Sequence, residues 1–596
     1  MSEFWLHPSL LLLVGAALLP LVPRPAKKAW LLLIPILVFA RTAGLSTGNH
    51  GAVRFLEWTL VFGRVDGLSQ VFGFIMALMC GVGTLYGLHV RDDAEHVAAW
   101  TYVAGSLGAI YAGDYLTLFL FWELMALASV FLVWFRRRDG SNAAGLRYFL
   151  VHTAGGLSLL SGIVLLGRET GGDLTFGRLD VAHPSLAAVL ILIGFLLNAA
   201  VPPLHAWLPD AYGEATPNGS VFLCAFTTKT AVYALCRGFA GMEILVPLGV
   251  AMALYGVVYA VLENDCRRLL AYHIISQVGY MVAGVGIGTQ MAINGACAHA
   301  FAHILYKGLL FMGCGAVLHM TGRSKFTELG GLYRRMPWTF LFTLIGGLSI
   351  SAFPLFSGFV SKSMIVAAGF EEHRLGAGYL LMLASVGTFL HTGLKVPYFI
   401  WFGEKRCSEE TWERAAEPPW NMMAAMIMAS VLCVFIGCRP GWLYGMLPHP
   451  AEYEPYTAYH VSETLLALLF TAVGFFLLIR KLAPEATISV DLDWFYRKGG
   501  LLVLRCIRGP LQAIDDWVGR WYRTGGLGSV RGSARGVAWF DGRVVDALVD
   551  GVGGAVRGVG GWLRGLQRGS IQETLLLALG LATVVVMVGF LLLRGH

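Results

Sequence analysis

Long apolar stretches separated by short charged loops dominate this chain. Runs of roughly spanning length fall at 9–24, 28–45, 67–90, 96–112, 114–135, 145–167, 186–207 and 219–240. Further runs fall at 244–263, 269–289, 293–320, 337–352, 376–402, 420–441, 460–481 and 571–594. Read as one crossing each, they predict an all-α polytopic membrane protein with about sixteen transmembrane helices. Two places break the pattern with proline and glycine. One is "AVPPLHAWLPDAYGEATPNG" (200–219), which contains Pro203, His205, Pro209, Asp210 and Pro217. The other is "SAFPLFSGFVSKSM" (351–364), which contains Pro354, Gly358 and Lys362. Paired interruptions in corresponding places of two halves point to a repeat-built transporter with broken helices near the midplane. Backbone freed there must be buried in protein or line water. Plain interhelical loops are the alternative.

Beyond about residue 481 the pattern changes. Between Arg497 and Arg568 there are twelve Lys/Arg against five Asp/Glu. Val545, Val549, Val552, Val556, Val559, Leu563 and Leu566 recur at alternating spacings of four and three, and Arg543, Asp550, Arg557 and Arg564 recur every seven. This predicts an amphipathic helix lying along the membrane surface or across neighbouring helices, ahead of an anchor at 571–594. A basic surface anchor is the simpler reading. The many glycines (Gly551, Gly553, Gly554, Gly558, Gly560, Gly561) weaken its intrinsic helicity.

Composition agrees with the pattern. The 596 residues are 56% hydrophobic and 14% charged, against about 25% charge in soluble domains. The opening "MSEFWLHPSLLLLVGAALLPLVP" has an acidic residue where a cleaved leader carries Lys or Arg, and no A-x-A site, so it is expected to be a retained crossing. Basic residues collect in alternate loops: "RPAKK" (24–28), "RRR" (136–138), "CRR" (266–268), 323–335 and "EKR" (404–406). Loops 113–114, 290–292 and 442–459 have none. The positive-inside rule then places the N-terminus outside, in the inner membrane of a prokaryote. The net charge of +7 therefore speaks of orientation, and nucleic acid is not an expected partner. The ten cysteines are scattered without a CxxC, which argues against a metal or disulfide framework. No Walker-type loop is present, so ATP is not the expected energy source.

The remaining chemistry lies in ionisable residues within apolar runs. Glu123 stands alone in "LTLFLFWELMALASVFLVWF" and Lys229 in "CAFTTKTAVYAL", suggesting an acid–base pair between two helices. "CAHAFAHILYKGLLF" (297–311) places His299, His303 and Lys307 at i, i+4 and i+8, on one helix face. "GTFLHTGLKVPYF" adds His391 and Lys395, while His152 and His273 lie in two more runs. Any one histidine suits a structural hydrogen bond, and Glu123 with Lys229 suits a structural salt bridge. Together, spread over at least five helices, they are what a proton relay requires.

These residues lie in stretches that resemble one superfamily. "PLHAWLPDAY" (203–212), "TTKTAVYAL" (227–235), "DCRRLLAYHIISQVGYM" (265–281), "AHAFAHILYKGLLFMGCGAV" (298–317) and "FPLFSGFVSK" (353–362) are similar to the antiporter-like subunits of respiratory complex I and the large subunits of Mrp-type cation/proton antiporters. The likeness covers roughly residues 65–405, with a core that looks closer to the Mrp D-type subunit. "WFDGRVVDALVDGVGG" and "RGLQRGSIQETLLLALGLATVVV" resemble the lateral helix and final crossing of the largest complex I antiporter-like subunit. The resemblance implies N-terminal flanking helices at 1–95, two inverted five-helix repeats at 96–263 and 269–441, and a flanking helix at 460–481. It further implies a lateral helix region at 485–568 and the anchor at 571–594. It makes Glu123 and Lys229 the pair of the first half-channel, Lys307 with His299 and His303 the central relay, and Lys395 the terminal group of the second half. The sequence departs from the family in three places. The run 244–263 lacks the usual Lys or His and offers Tyr255, Tyr259 and Glu263. "DCRR" replaces "D-[IL]-K-R", and His273 replaces a small hydroxyl residue. Water, these tyrosines or His273 are then the candidates to join Lys229 to the His299 group.

The expected function is a proton-translocating membrane subunit, with Na⁺ exchange as a variant, in a complex I-like, hydrogenase-like or Mrp-type assembly. Its expected partners are other antiporter-like and small membrane subunits and the lipid bilayer. No cofactor and no catalytic chemistry of its own are expected, and any redox chemistry would belong to partners. Two alternatives stand beside it: a non-conducting scaffold that braces its neighbours, and a di-haem b-type redox subunit. The second fits poorly, because a haem takes axial ligands from opposite sides while His299 and His303 share one helix face.

Overall fold

A computed structural model describes residues 5–486, 490–566 and 569–593, and the chain divides into two units, Met1–Asp493 and Trp494–His596. In the first unit, α1 (Pro8–Leu18) and α2 (Lys27–Ala43) precede an antiparallel hairpin of β1 (Gly48–Phe55) and β2 (Trp58–Val65). The hairpin occupies a stretch with no spanning run, and Leu60, Gly63 and Val65 of β2 are buried. Helices α3 (Gly67–Tyr86), α4 (Asp93–Tyr111), α5 (Tyr115–Trp134) and α6 (Asp139–Glu169) follow. Asp66 starts α3 through a reciprocal cap with Ser69, which satisfies a free amide at the helix end.

The first interrupted stretch forms α7 (Leu186–Asn198), an irregular break, and α8 (Trp207–Glu214). Next come α9 (Pro217–Ala225) and α10 (Thr227–Gly238), which share a kink at Phe226, then α11 (Leu245–Leu262), α12 (Cys266–Ile287) and α13 (Gln290–Thr321). The second interruption separates α14 (Pro337–Ile350) from α15 (Ser357–Glu371). Helix α16 (Leu375–Thr388) continues into two wide π-type segments, Phe389–Lys395 and Tyr398–Phe402. The unit closes with α17 (Glu409–Arg414), α18 (Trp420–Cys438), α19 (Pro440–Tyr444) and α20 (Ala458–Leu477). Both proline-rich stretches therefore interrupt helices.

Among the described residues, eleven helices are long and apolar enough to cross a membrane, and three shorter apolar ones accompany them. The chain is a polytopic, mainly helical membrane protein. Its interior is close-packed through small residues, as expected where lipid offers no hydrophobic drive. A Cβ on Gly256 of α11 would lie 2.5 Å from Tyr272 O and Ser276 N of α12. Only glycine permits that approach, which brings the tyrosines of the two helices together. Helix α13 has every side chain from Ala292 to Leu318 buried and lies at the centre of the unit.

The second unit is helical from α21 (Asp493–Cys506) through α22 (Gln512–Trp521), α23 (Gly528–Phe540) and α24 (Asp546–Leu566). Wide π-type turns at Ile507–Leu511, Tyr522–Leu527 and Asp541–Val545 join them, each containing glycine. At 1.5 Å per residue this helical run spans about 110 Å. Helix α25 (Ile571–Leu593) is apolar throughout its centre. The apolar face of α24, from Val549 to Leu563, is exposed. Residues 487–489, 567–568 and 594–596 of the predicted tail and anchor, and the side chain of Leu566, lie outside the described residues.

Candidate functional site

The site starts from the ends that interrupted helices leave behind. A helix terminus frees carbonyl groups and carries partial negative charge, and three of the buried lysines sit on such ends. The kink at Phe226 exposes the end of α9, where Lys229 Nζ donates to Cys224 O at 2.5 Å and to Thr228 Oγ1 at 3.1 Å. The second break exposes the end of α14, where Lys362 Nζ donates to Ile350 O at 2.9 Å. Lys395 Nζ donates to Val261 O at 2.6 Å and Glu263 O at 3.0 Å, at the end of α11. The fourth, Lys307, donates to Leu270 O of α12 at 2.9 Å. Lys229 and Lys307 are completely shielded, and Lys362 and Lys395 nearly so.

Histidines and tyrosines fill the space between these lysines. His303 lies within electrostatic reach of Lys229, Lys307, His299 and Lys362, with its ring 6.2 Å from that of His299. Tyr306 OH is 3.4 Å from His299 Nε2 and 3.5 Å from Gln277 Oε1. His299 Nδ1 is 3.1 Å from Ser361 Oγ, next to Lys362. The Tyr280 ring lies 5.8 Å from that of His299, tilted by 52°, and 5.0 Å from Lys362 Nζ. Lys362 in turn faces a cavity of about 490 Å³ shared with Tyr379, His460 and Glu463. A second line runs through His273 and His391, whose rings are 5.8 Å apart, towards Lys395. A smaller cavity of about 170 Å³ adjoins His391 and Lys395. Both ring nitrogens of His273, His303 and His391 are buried and lack a protein partner. Such imidazoles can exchange a proton without first breaking a structural hydrogen bond.

Two expectations are corrected by this geometry. Among the described residues, no ion pair joins Glu123 to Lys229. Glu123 is half-buried, with Oε1 unpartnered against Gly156 of α6, while backbone carbonyl and hydroxyl groups hold the lysine instead. Tyr255 and Tyr259 do not bridge Lys229 to the His299 group. They turn towards Asp491 and Val490, and Lys229 on α10 lies within electrostatic range of His303 and Lys307 on α13. His152 stands apart, its ring 4.2 Å from Tyr148 and 4.5 Å from Trp207. Asp210 pairs with Arg147 at 2.6 Å, and His205 meets Asp491 at 3.2 Å. Pro203 lies in the first break, Pro209 in α8, Pro217 at the start of α9 and Pro354 in the second break. At Gly358 a Cβ would lie 1.7 Å from Ser349 O, so only glycine lets α15 approach the end of α14 there.

Sequence reasoning treats Lys362 as a loop residue and passes over Gln277, Tyr280, Tyr306, Ser361 and Asp491. A usable signal existed for Lys362, the sixth residue of the helix after a break. The neutral groups carry none.

Known proteins resemble this chain in sequence and in fold. A model of the family described as "NADH:quinone oxidoreductase/Mrp antiporter, TM" matches residues 112–391. Hydrogenase-4 component B of Escherichia coli is 30% identical over 442 residues, 67% of this chain and 65% of that protein. Na(+)/H(+) antiporter subunit A1 of Staphylococcus haemolyticus is 30% identical over 505 residues, 75% of this chain and 62% of that protein. The chain spans less than two thirds of the length of either relative. Among solved structures, a chain of the Mrp complex from Dietzia sp. superposes with a TM-score of 0.72 at 24% identity, covering 89% of this chain and 62% of that one. A chain of the archaeal membrane-bound sulfane sulfur reductase gives 0.67 at 23% identity, covering 98% and 99%. One of respiratory complex I from Thermus thermophilus gives 0.62 at 26% identity, covering 74% and 99%.

Proposed function

We propose that this chain, which belongs through residues 112–391 to the NADH:quinone oxidoreductase/Mrp antiporter membrane family, is an ion-translocating subunit of a multisubunit membrane complex and moves protons. One observation carries the reading. Lys229, His303, Lys307, His299 and Lys362 are buried together within electrostatic range of one another, between the α9–α10 kink and the cavity behind the second break. Ionisable groups at membrane depth are costly and are kept where ions pass. In this reading a charge on one lysine raises the cost of a charge on the next, so protons advance by electrostatic displacement. Glu123 sets the entry side, and Lys362 and Lys395 serve two exits, one to each cavity. Each lysine swings between its carbonyl anchor and the neighbouring imidazole.

The domain reading follows from the same elements. The broken helices α7–α8 and α14–α15 are taken as equivalent members of two inverted repeats, spanning 96–263 and 269–441. The second unit is taken as a lateral helix with a terminal anchor that meets neighbouring subunits. The basic loops support an N-terminus outside, in the inner membrane of a prokaryote. Na⁺ exchange is the variant suggested by the antiporter relative. The test is ion movement by vesicles that contain the whole complex, with Lys229 and Lys307 each replaced by alanine. Loss of movement at matched complex abundance supports the reading.

A further inference from the structure

One buried polar cluster takes no part in this relay. Asp491 lies in the last stretch of the first unit and is 6% exposed. Its carboxylate accepts hydrogen bonds from His205 Nε2 at 3.2 Å, from Tyr272 OH at 2.5 Å and from Tyr255 OH. Tyr259 OH donates to the neighbouring Val490 O at 3.3 Å. His205 belongs to the break between α7 and α8, is completely buried, and leaves its Nδ1 without a partner. The surrounding charges are already engaged: Arg268 pairs with Glu263 at 3.3 Å, and Arg147 with Asp210 at 2.6 Å. Among the described residues, His205 is therefore the group in contact with Asp491 that can carry positive charge.

Burial pushes the Asp491 carboxyl up. The hydrogen bond and charge of His205, with the hydrogen bonds of Tyr255 and Tyr272, outweigh it and hold the group down at about 2. The carboxylate is thus a fixed anion at neutral pH. A fixed anion bonded to one imidazole nitrogen makes that nitrogen the donor and favours protonation at the other.

We propose that His205 and Asp491 form a further proton-holding site at the first helix break, with the imidazole carrying the proton and Asp491 as its counter-anion. The proposal rests on the transport reading above. One proton binds at Nδ1 to give the imidazolium and leaves from the same atom to restore the neutral ring, and no other bond changes. Asp491 is a positioning residue that acts through His205. Tyr255 and Tyr272 hold it, and Tyr259 fixes the backbone beside it.

The test measures proton movement against pH in inverted vesicles containing the whole complex. Asp491→Asn removes the anion and should displace the profile to lower pH by about one unit. Asp491→Glu keeps the charge and should restore the wild-type profile. His205→Gln should lose the limb of the profile that Asp491→Asn moves. An Asp491→Asn profile that matches wild type overturns the proposal, as does equal loss in the Asn and Glu variants with an unmoved profile, which marks a strut. Should the Asn variant not assemble, Tyr272→Phe takes its place, and a displaced profile supports the site while an unmoved one overturns it. Lys307→Ala serves as the internal control. If that variant transports like wild type, the transport reading has fallen; if it is dead while Asp491→Asn behaves as wild type, only this proposal has.

Discussion

His299 Nδ1 lies 3.1 Å from Ser361 Oγ, so the centre of the unbroken helix α13 touches the helix that follows the second break. That contact joins a buried histidine–lysine row to Lys362 and its cavity. It also explains why a helix break is useful here. The break frees the carbonyl of Ile350, which anchors a lysine one residue beyond the serine.

The two candidate exits respond differently to substitution. Lys362→Ala should abolish proton movement, and it frees one backbone carbonyl, that of Ile350, so its cost in stability should be the smaller of the two. Lys395→Ala leaves Val261 O and Glu263 O without their donor and should lower stability by about 1–3 kcal/mol. Thermal unfolding of the purified complex, run beside the vesicle assay, checks the contrast.

The carboxylate of Glu123 is placed by Gly156 and not by Lys229. A Cβ there would lie 2.0 Å from Glu123 Oε1, so Gly156→Ala should displace the carboxylate and reduce transport about as far as Glu123→Gln does. Equal rates for Gly156→Ala and wild type in the vesicle assay would contradict this.

Close packing of α11 on α12 supports the Asp491 cluster. Gly256→Leu forces a side chain into the backbone of Tyr272 and Ser276 and should cost about 1–3 kcal/mol by overpacking. A lowered melting temperature, with Asp491 more readily labelled when replaced by cysteine, is the expected outcome.

Asp66 gives a pH dependence outside the spans. Burial raises its carboxyl, but the Arg237 hydrogen bonds and charge outweigh it, with help from the Ser69 amide and Arg64, and hold it at about 2. The folded value is below the unfolded one of about 3.9, so the stabilisation is present above that value and is lost as pH falls towards 2. The melting-temperature gap between wild type and Asp66→Asn should stay constant from neutral pH down to about 5 and close below about 4.

Much of this arrangement is legible in the sequence, for physical reasons. A lysine in an apolar run is visible because its charge is expensive there, so Lys229, Lys307 and Lys395 stand out. Proline with glycine marks a broken helix because backbone hydrogen bonding fails there, so both breaks are legible. What remains hidden are neutral or distant contributions. Gln277, Tyr280 and Tyr306 look like ordinary residues of apolar helices, and only the fold turns them towards His299. Asp491 looks like a loop carboxylate, and its partners are more than 200 positions away in the chain. Glu123 and Lys229 resemble a pair on paper because sequence gives charge without distance. The hairpin at 48–65 escapes a search for spanning runs because its period is two.

The most direct test is pH-dye quenching in inverted vesicles carrying the whole complex, after adding substrate, Na⁺ or K⁺, for wild type, Lys229→Ala and Lys307→Ala at matched abundance. Quenching reduced to background in both variants is the expected result. Wild-type quenching in both would contradict proton passage along the buried row and leave the chain a scaffold.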